Sequence, residues 1–327
     1  MYSPLSQAFR AGCSRSASIV ARATNASHAR RPQNASLMLD FTPNAVHVGI
    51  YEALAHHFDT DNGIRLHVEV PGASTDAISE LEAGRVDYAI LDIHDLAIAR
   101  QKHEKIVGFL PIVQRPLAAI IAQPRIRSPR QLAGRTVGVT GAPSDTAVLD
   151  SIVAGSGGNP ARVKTIDIGF NAIADLVAGR VAAATAFWSD EGVVLSHRKP
   201  GVHVFRVDHY GAPAYPELVV CATAQSLKRD PQRARDLAVA LGRGYRLAVR
   251  DPRAAANTLT AQVSGLDKSL VEDELPGLDR IFAPGGHFGV LHMGTLRRWA
   301  HWEKRFGLVK TLPDVDAMFA SIGRGAS

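Results

Sequence analysis

The sequence predicts an α/β protein of two similar lobes followed by a helical back third, and three observations carry that prediction. A phrase occurs twice: DAISELEAGRVDYA over residues 76–89 and NAIADLVAGRVAAA over 171–184, 95 positions apart and identical at eight of fourteen places. Short apolar runs alternate with helical spacing as far as residue 222, as strand–helix–strand units require. Beyond Leu227, four stretches of helical spacing follow (231–250, 252–263, 268–281 and 294–306), divided by Gly and Pro. A chain of 327 residues leaves room for about two domains.

Each copy of the repeat has the same grammar. A polar residue able to cap, Asp76 or Asn171, opens a helix whose apolar face holds Ile and Leu three apart. Gly84 or Gly179 then ends the helix where the backbone turns to positive φ, and an apolar run starts a strand. Two such units predict two lobes with a cleft between them.

The other elements follow in order. Residues 1–36 carry Arg10, Arg15, Arg22, Arg30 and Arg31 and no acid, and they lack the unbroken apolar core of a secretory signal. They are expected to be a disordered leader: an export leader, a transit segment or sequence upstream of the true start. Residues 37–39 form the first strand, and Pro43 and Asn44 punctuate the turn after it. A helix over 47–58 places Ile50, Leu54 and Phe58 on one face. Strands are expected at 66–70, 86–91, 106–114 and 117–122, with a helix over 92–100. A short helix over 127–132 has Pro129 in its first turn. Strands follow at 136–140, 163–168, 182–187, 202–207 and 217–222, and a helix runs from the 141–146 loop to about residue 154. The strand at 217–222 leads into the back helices, so the chain is expected to return to its first lobe. The division is then 37–124 with 223–327 in lobe one, and 125–222 in lobe two.

Bulk properties narrow the function. Hydrophobic residues make up 46% and charged residues 21%, ordinary for a soluble globular protein. Five of the net +6 charges lie in residues 1–36. No basic stripe with interleaved aromatics remains, which argues against nucleic acid as a partner. The apolar stretch 107–122 is interrupted by Gln114 and Arg115 and is no membrane span. Cys13 and Cys221 indicate neither a disulfide framework nor a metal cluster, and Cys221, inside an apolar run, reads as a small buried hydrophobe. His28, His56 and His57 have no partners at metal-ligand spacing. Nucleophile-elbow, phosphate-loop and His-Glu-x-x-His motifs are missing.

In open α/β sheets, ligands sit beyond the carboxyl ends of strands. Five such ends can be read: Asp40 to Asn44 with His47 one turn on; Asp92, Ile93 and His94; the 141–146 loop with Ser144, whose backbone N–H groups could take an anion; Trp188 to Glu191; and Tyr210 to Glu217. Together they predict a cleft lined by Phe41, Trp188 and Tyr215, with Asp40, Asn44, Glu191 and Glu217 as polar anchors. Aromatic faces suit a flat heterocycle, and carboxylates suit its exocyclic amines. Plainer roles stay open beside these. Asp40 and Asn44 also suit helix caps, His47 suits a helix histidine, and Trp188 suits the core.

The run Leu39-Asp-Phe-Thr-Pro-Asn-Ala-Val-His-Val-Gly-Ile-Tyr51 resembles the opening of the thiamine-precursor-binding family. That family contains the solute-binding proteins of ABC importers for formylaminopyrimidine and related heterocycles, and the yeast-type hydroxymethylpyrimidine phosphate synthases. Further matching runs are Gln114-Arg-Pro-Leu117, Leu132-Ala-Gly-Arg-Thr-Val-Gly138, Phe187-Trp-Ser-Asp-Glu-Gly192 and Tyr210-Gly-Ala-Pro-Ala-Tyr-Pro-Glu-Leu218. The resemblance extends over residues 37–319 and implies a type II periplasmic-binding-protein fold whose lobes close on a ligand. It puts Asp40, Phe41, Asn44, Trp188, Glu191, Tyr215 and Glu217 near that ligand, with His47, His94 and Ser144 as further candidates. Phe41 stands where the family has Trp, so stacking survives and an indole N–H is lost.

The resemblance implies a monomeric solute-binding protein, in the periplasm or at the cell surface, serving an ABC permease and needing no cofactor; the atypical leader leaves a cytoplasmic location open. The synthase branch is the alternative, as is a cytosolic ligand sensor. The synthases match at Ile93-His94, but they carry a pyridoxal-phosphate lysine where this chain has Ile90, and a cysteine-rich run where it has only Cys221. Without that lysine there is no amine for a Schiff base, so binding rather than catalysis is expected.

Overall fold

The computed structural model describes residues 31–322, apart from Ser74 and Pro143. Ten strands run β1 (Gln33–Met38), β2 (Ile64–Glu69), β3 (Tyr88–Asp92), β4 (Ile106–Val113), β5 (Ala118–Ala122), β6 (Thr136–Val139), β7 (Lys164–Asp167), β8 (Ala183–Phe187), β9 (His203–Arg206) and β10 (Leu218–Thr223). They form two five-stranded sheets, ordered β2-β1-β3-β10-β4 and β7-β6-β8-β5-β9. The two orders have the same plan. Four strands run in one direction, and the fifth, inserted antiparallel between its neighbours, comes from the far side of a crossover: β10 in the first sheet and β5 in the second.

This insertion moves the expected boundaries. Residues 118–122, placed with the first lobe by sequence, pair with β8 and β9 in the second sheet. Residues 218–222, placed with the second lobe, pair with β3 and β4 in the first. Both strands are short, wholly apolar runs, and such a run carries no mark of which sheet it joins.

Of the expected leader, residues 1–30 lie outside the described residues, as does Cys13. Residues 33–36 belong instead to β1, in parallel register with β2 from Gln33 opposite Ile64. Within 33–36 only Ala35 faces the core, ahead of Leu37 and Met38, so the polar residues around it hide the strand's start. The helix expected over 47–58 is also divided. A 3₁₀ turn at Ala45–His47 leads into Val48–Ala55, and a short helix at Phe58–Asp61 follows a break at His57, whose φ is +54°.

The repeat helices form as Asp76–Glu82 and Ala172–Ala178. Gly84 (φ +68°) and Gly179 (φ +72°) turn the chain after them, a conformation that penalises any residue with a Cβ. The back third is helical. Pro231–Arg250 buries Ala234, Leu237, Leu241, Tyr245 and Ala248 at three-to-four spacing. The Tyr245 hydroxyl donates a hydrogen bond to the Val46 carbonyl at 2.8 Å, and its ring packs on Phe282 and Phe288. These helices thus pin the start of the first sheet's leading helix, just behind the Asp40–Asn44 turn. No helix among the described residues is long and apolar enough to cross a membrane.

Candidate functional site

A cavity of about 120 Å³ opens where strand ends of both sheets meet. From the first sheet come Asp40 and Phe41 beyond β1, Ile90 to Asp92 of β3, Asp95 on the following helix, and Leu218 of β10. From the second come Ala118 and Ala119 of β5, Thr140, Ala142, Ser144, Asp145 and Val148 after β6, Phe170, Thr185 to Phe187 of β8, and Glu191. Five of the described lining residues are carboxylates (Asp40, Asp92, Asp95, Asp145 and Glu191), and none is Lys or Arg. Phe41 meets Phe170 edge to face at 4.4 Å between ring centres, and the pair forms an aromatic wall.

The carboxylates are not alike. Burial, with Asp190 close by, pushes Glu191 up to about 8, although its Oε2 accepts the Phe187 N–H at 3.0 Å. Burial and the neighbouring Asp92 push Asp95 up to about 8 as well. Burial also raises Asp145, whose Oδ2 accepts from the Thr140 hydroxyl at 2.9 Å and from the Gly141 and Ala142 N–H groups at 3.0 and 3.2 Å. This overturns the expected anion cradle at 141–146. Two of its backbone donors already serve the protein's own carboxylate. Ser144 is on the cavity wall.

Of the other predicted residues, Asn44 is a cap and a bridge. Its Oδ1 accepts the Val46 N–H at 2.9 Å, and its Nδ2 donates to Asp190 Oδ2 at 2.7 Å across the two sheets' loops. His47 is fully buried; its Nδ1 accepts the Asn44 N–H at 3.2 Å, so Nε2 carries the proton that Asp40 Oδ1 accepts at 2.9 Å. Asp40 therefore reaches the cavity already oriented by His47, and Asn44 and His47 support the wall without lining it.

Trp188 is not on the cavity wall. Its Nε1–H donates to the Pro116 carbonyl at 3.0 Å, its backbone N–H donates to Leu117, and Arg206 covers its ring at 4.2 Å. Glu217 is fully buried at the opposite crossover, where Oε2 accepts the N–H groups of Leu117 and, at 2.9 Å, Ala118. Tyr215 and His94 are also fully buried and pack together, with Trp302 against both rings. Burial works against the His94 imidazolium, but Glu303, Asp92 and Glu217 outweigh it and raise its pKa to about 10. Cys221 is buried and its thiol pKa is raised by burial.

The structure thus brings Asp40, Phe41, Ser144 and Glu191 to the cavity and leaves Asn44, His47, His94, Trp188, Tyr215 and Glu217 behind it. Sequence reasoning did not single out Asp95, Asp145 or Phe170. Asp145 and Phe170 flank strand-end glycines, Gly141 and Gly169, and that proximity is the signal that could have found them.

The profile of a family described as NMT1/THI5 like matches residues 44–255. The chain is 29% identical over 265 residues to a formylaminopyrimidine-binding protein of Halalkalibacterium halodurans, which covers 79% of this chain and 80% of that one. Among solved structures, the alkanesulfonate-binding protein SsuA of Xanthomonas axonopodis pv. citri superposes with a TM-score of 0.71 at 16% identity, over 90% of this chain and all of that one. The Candida albicans CA3427 gene product, described as having the generic periplasmic binding protein fold, superposes with a TM-score of 0.68 at 15% identity, over 89% of this chain and 96% of that one. The fold of this chain is the periplasmic binding protein fold.

Proposed function

Because the chain belongs to the NMT1/THI5-like family, we propose that it is the solute-binding component of an ABC importer and captures a small, flat, amine-bearing heterocycle between its two sheets. A thiamine pyrimidine precursor is the first choice, in line with the ligand named for the 29%-identical relative. The observation that carries this reading is the cavity wall itself: five carboxylates, an aromatic pair and no Lys or Arg among the described lining residues. Such a wall accepts N–H donors and stacks a ring. Its described lining residues include no Lys or Arg to pair with a sulfonate, the class of ligand named for the SsuA protein that shares only the fold.

The reading is of binding without catalysis. Ile90, fully buried in β3 and on the cavity wall, supplies an alkyl group where a Schiff base would need an amine. Closure of the two halves around the ligand is the state a membrane permease would recognise. That role supports a place outside the cytoplasmic membrane.

A thermal-shift and calorimetric comparison of hydroxymethylpyrimidine, formylaminopyrimidine, an alkanesulfonate and pyridoxal phosphate tests it. A pyrimidine at 100 times its dissociation constant should stabilise the fold by about 2.7 kcal/mol, and Glu191→Gln should weaken that binding. Stabilisation by the sulfonate or by pyridoxal phosphate alone would refute the proposal.

A further inference from the structure

Behind the cavity floor lies a cluster of which only Asp92 reaches the cavity wall. Asp92, at the end of β3, His94, on the helix that follows, and Glu217, just before β10, each offer one ligand atom within 4.8 Å of the other two. His94 and Glu217 are fully buried, and among the described residues His94 Nε2 and Glu217 Oε1 have no hydrogen-bond partner. An orphaned buried acceptor is costly, and two of them converge here with a third donor beside them.

The imidazole is held as metal-ligating histidines are held. Its Nδ1 faces Glu303 Oε1, also fully buried, and Trp299 Nε1 lies 3.3 Å from the same nitrogen. A carboxylate on Nδ1 orients the ring, and a cation at Nε2 would take the place of that nitrogen's proton. Glu217 is fixed through Oε2 by the Ala118 N–H at 2.9 Å, which leaves Oε1 free. Asp92 Oδ1 accepts the His94 N–H at 2.7 Å, and the residue also borders the cavity. It therefore provides the route in from the cleft. Three carboxylates (Asp92, Glu217 and Glu303) surround a single imidazole. A cation bound here would replace the protons that burial favours on Asp92 and Glu217.

We propose that Asp92, His94 and Glu217 bind one divalent first-row transition-metal ion, oriented from behind by Glu303. One nitrogen and two carboxylate oxygens suit Zn²⁺, Fe²⁺, Mn²⁺ or Co²⁺, whereas soft monovalent copper prefers sulfur and Ca²⁺ an all-oxygen shell. Sequence spacing conceals the site because its third ligand arrives with the strand that returns from the second sheet.

The test uses the full chain stripped with a chelator and titrated with Zn²⁺ or Co²⁺, read by calorimetry and elemental analysis, with Co²⁺ absorption reporting geometry. One equivalent should bind. Asp92→Asn and His94→Gln should each lower affinity by about 100-fold or more, and Glu303→Gln by about 10–100-fold. Should His94→Gln fail to fold, Asp92→Asn at the cavity edge carries the test. Two outcomes overturn the proposal: no stoichiometric binding by the folded protein, as for a proton shared between Asp92 and Glu217, or one equivalent bound at unchanged affinity in Asp92→Asn and Glu303→Gln.

Discussion

Glu217 Oε2 accepts the Ala118 N–H at 2.9 Å, and so ties together the two places where the chain passes from one sheet to the other. Ala118 opens β5 just after the first crossover, and Glu217 precedes β10 at the end of the second. The same oxygen takes the Leu117 N–H, while the Glu217 backbone carbonyl accepts from Ile93 at 3.0 Å. The two crossovers are thereby held as a pair rather than as two independent threads.

Glu217→Ala leaves two buried N–H groups without an acceptor and should cost about 3 kcal/mol. Glu217→Gln keeps a carbonyl in place and should cost less than about 1 kcal/mol. Urea denaturation of both variants separates them. Equal losses would show that charge, not the acceptor, holds the crossover.

Trp188 should act on stability more than on binding. Trp188→Phe deletes the donor to Pro116, a loss of about 1 kcal/mol, and should change ligand affinity by less than about threefold, since its ring lies off the cavity wall. Phe41→Ala removes half of the aromatic wall and should weaken binding about tenfold, the loss of one stacking contact. Calorimetry on both variants checks the contrast. Stronger weakening from Trp188→Phe than from Phe41→Ala would put the indole in contact with ligand.

Stability should fall as pH rises. Glu191, Asp95 and Glu274 all have folded pKa values raised by burial to about 8, above those of the unfolded chain at about 4. Between these values the unfolded chain binds fewer protons than the folded one, so stability decreases from about pH 4 to 8. A ligand amine that donates to Glu191 favours the ionised carboxylate, so binding at pH 7 should release protons. Denaturation at pH 5, 6.5 and 8 and calorimetry in two buffers of different ionisation enthalpy read these effects. A rise in ligand-free stability toward pH 8 would contradict them.

Much of the architecture was legible because each element obeys its own period. The apolar runs over β4, β5, β8 and β10 and the three-to-four spacing of the back helices identify themselves. What stayed hidden depends on pairing. β1 is half polar and is a strand because β2 lies beside it. The Glu191–Arg198 helix is too short to show a period. In the site, residue type was a poorer guide than position. His94, Tyr215 and Trp188 have chemically suggestive side chains yet serve the interior and the crossover, whereas Asp95, Asp145 and Phe170 reach the cavity because of where their strands end. Sequence distance hides this, because the partners of Glu217 lie a hundred positions upstream.

The insertion of β10 also sets the order of assembly. Among the described strands, β4, every residue of which is buried in the finished protein, has β10 as its one sheet neighbour. A ribosome makes the whole second sheet before it makes residues 218–223. Until then the edge of β3 and the flank of β4 stand open on the nascent chain, an invitation to wrong pairing. Slow, non-local closure of this kind favours aggregation over folding in a crowded cell. The strand that follows the second crossover is thus also the last piece of the first sheet, and the protein's yield should depend on how long its arrival takes.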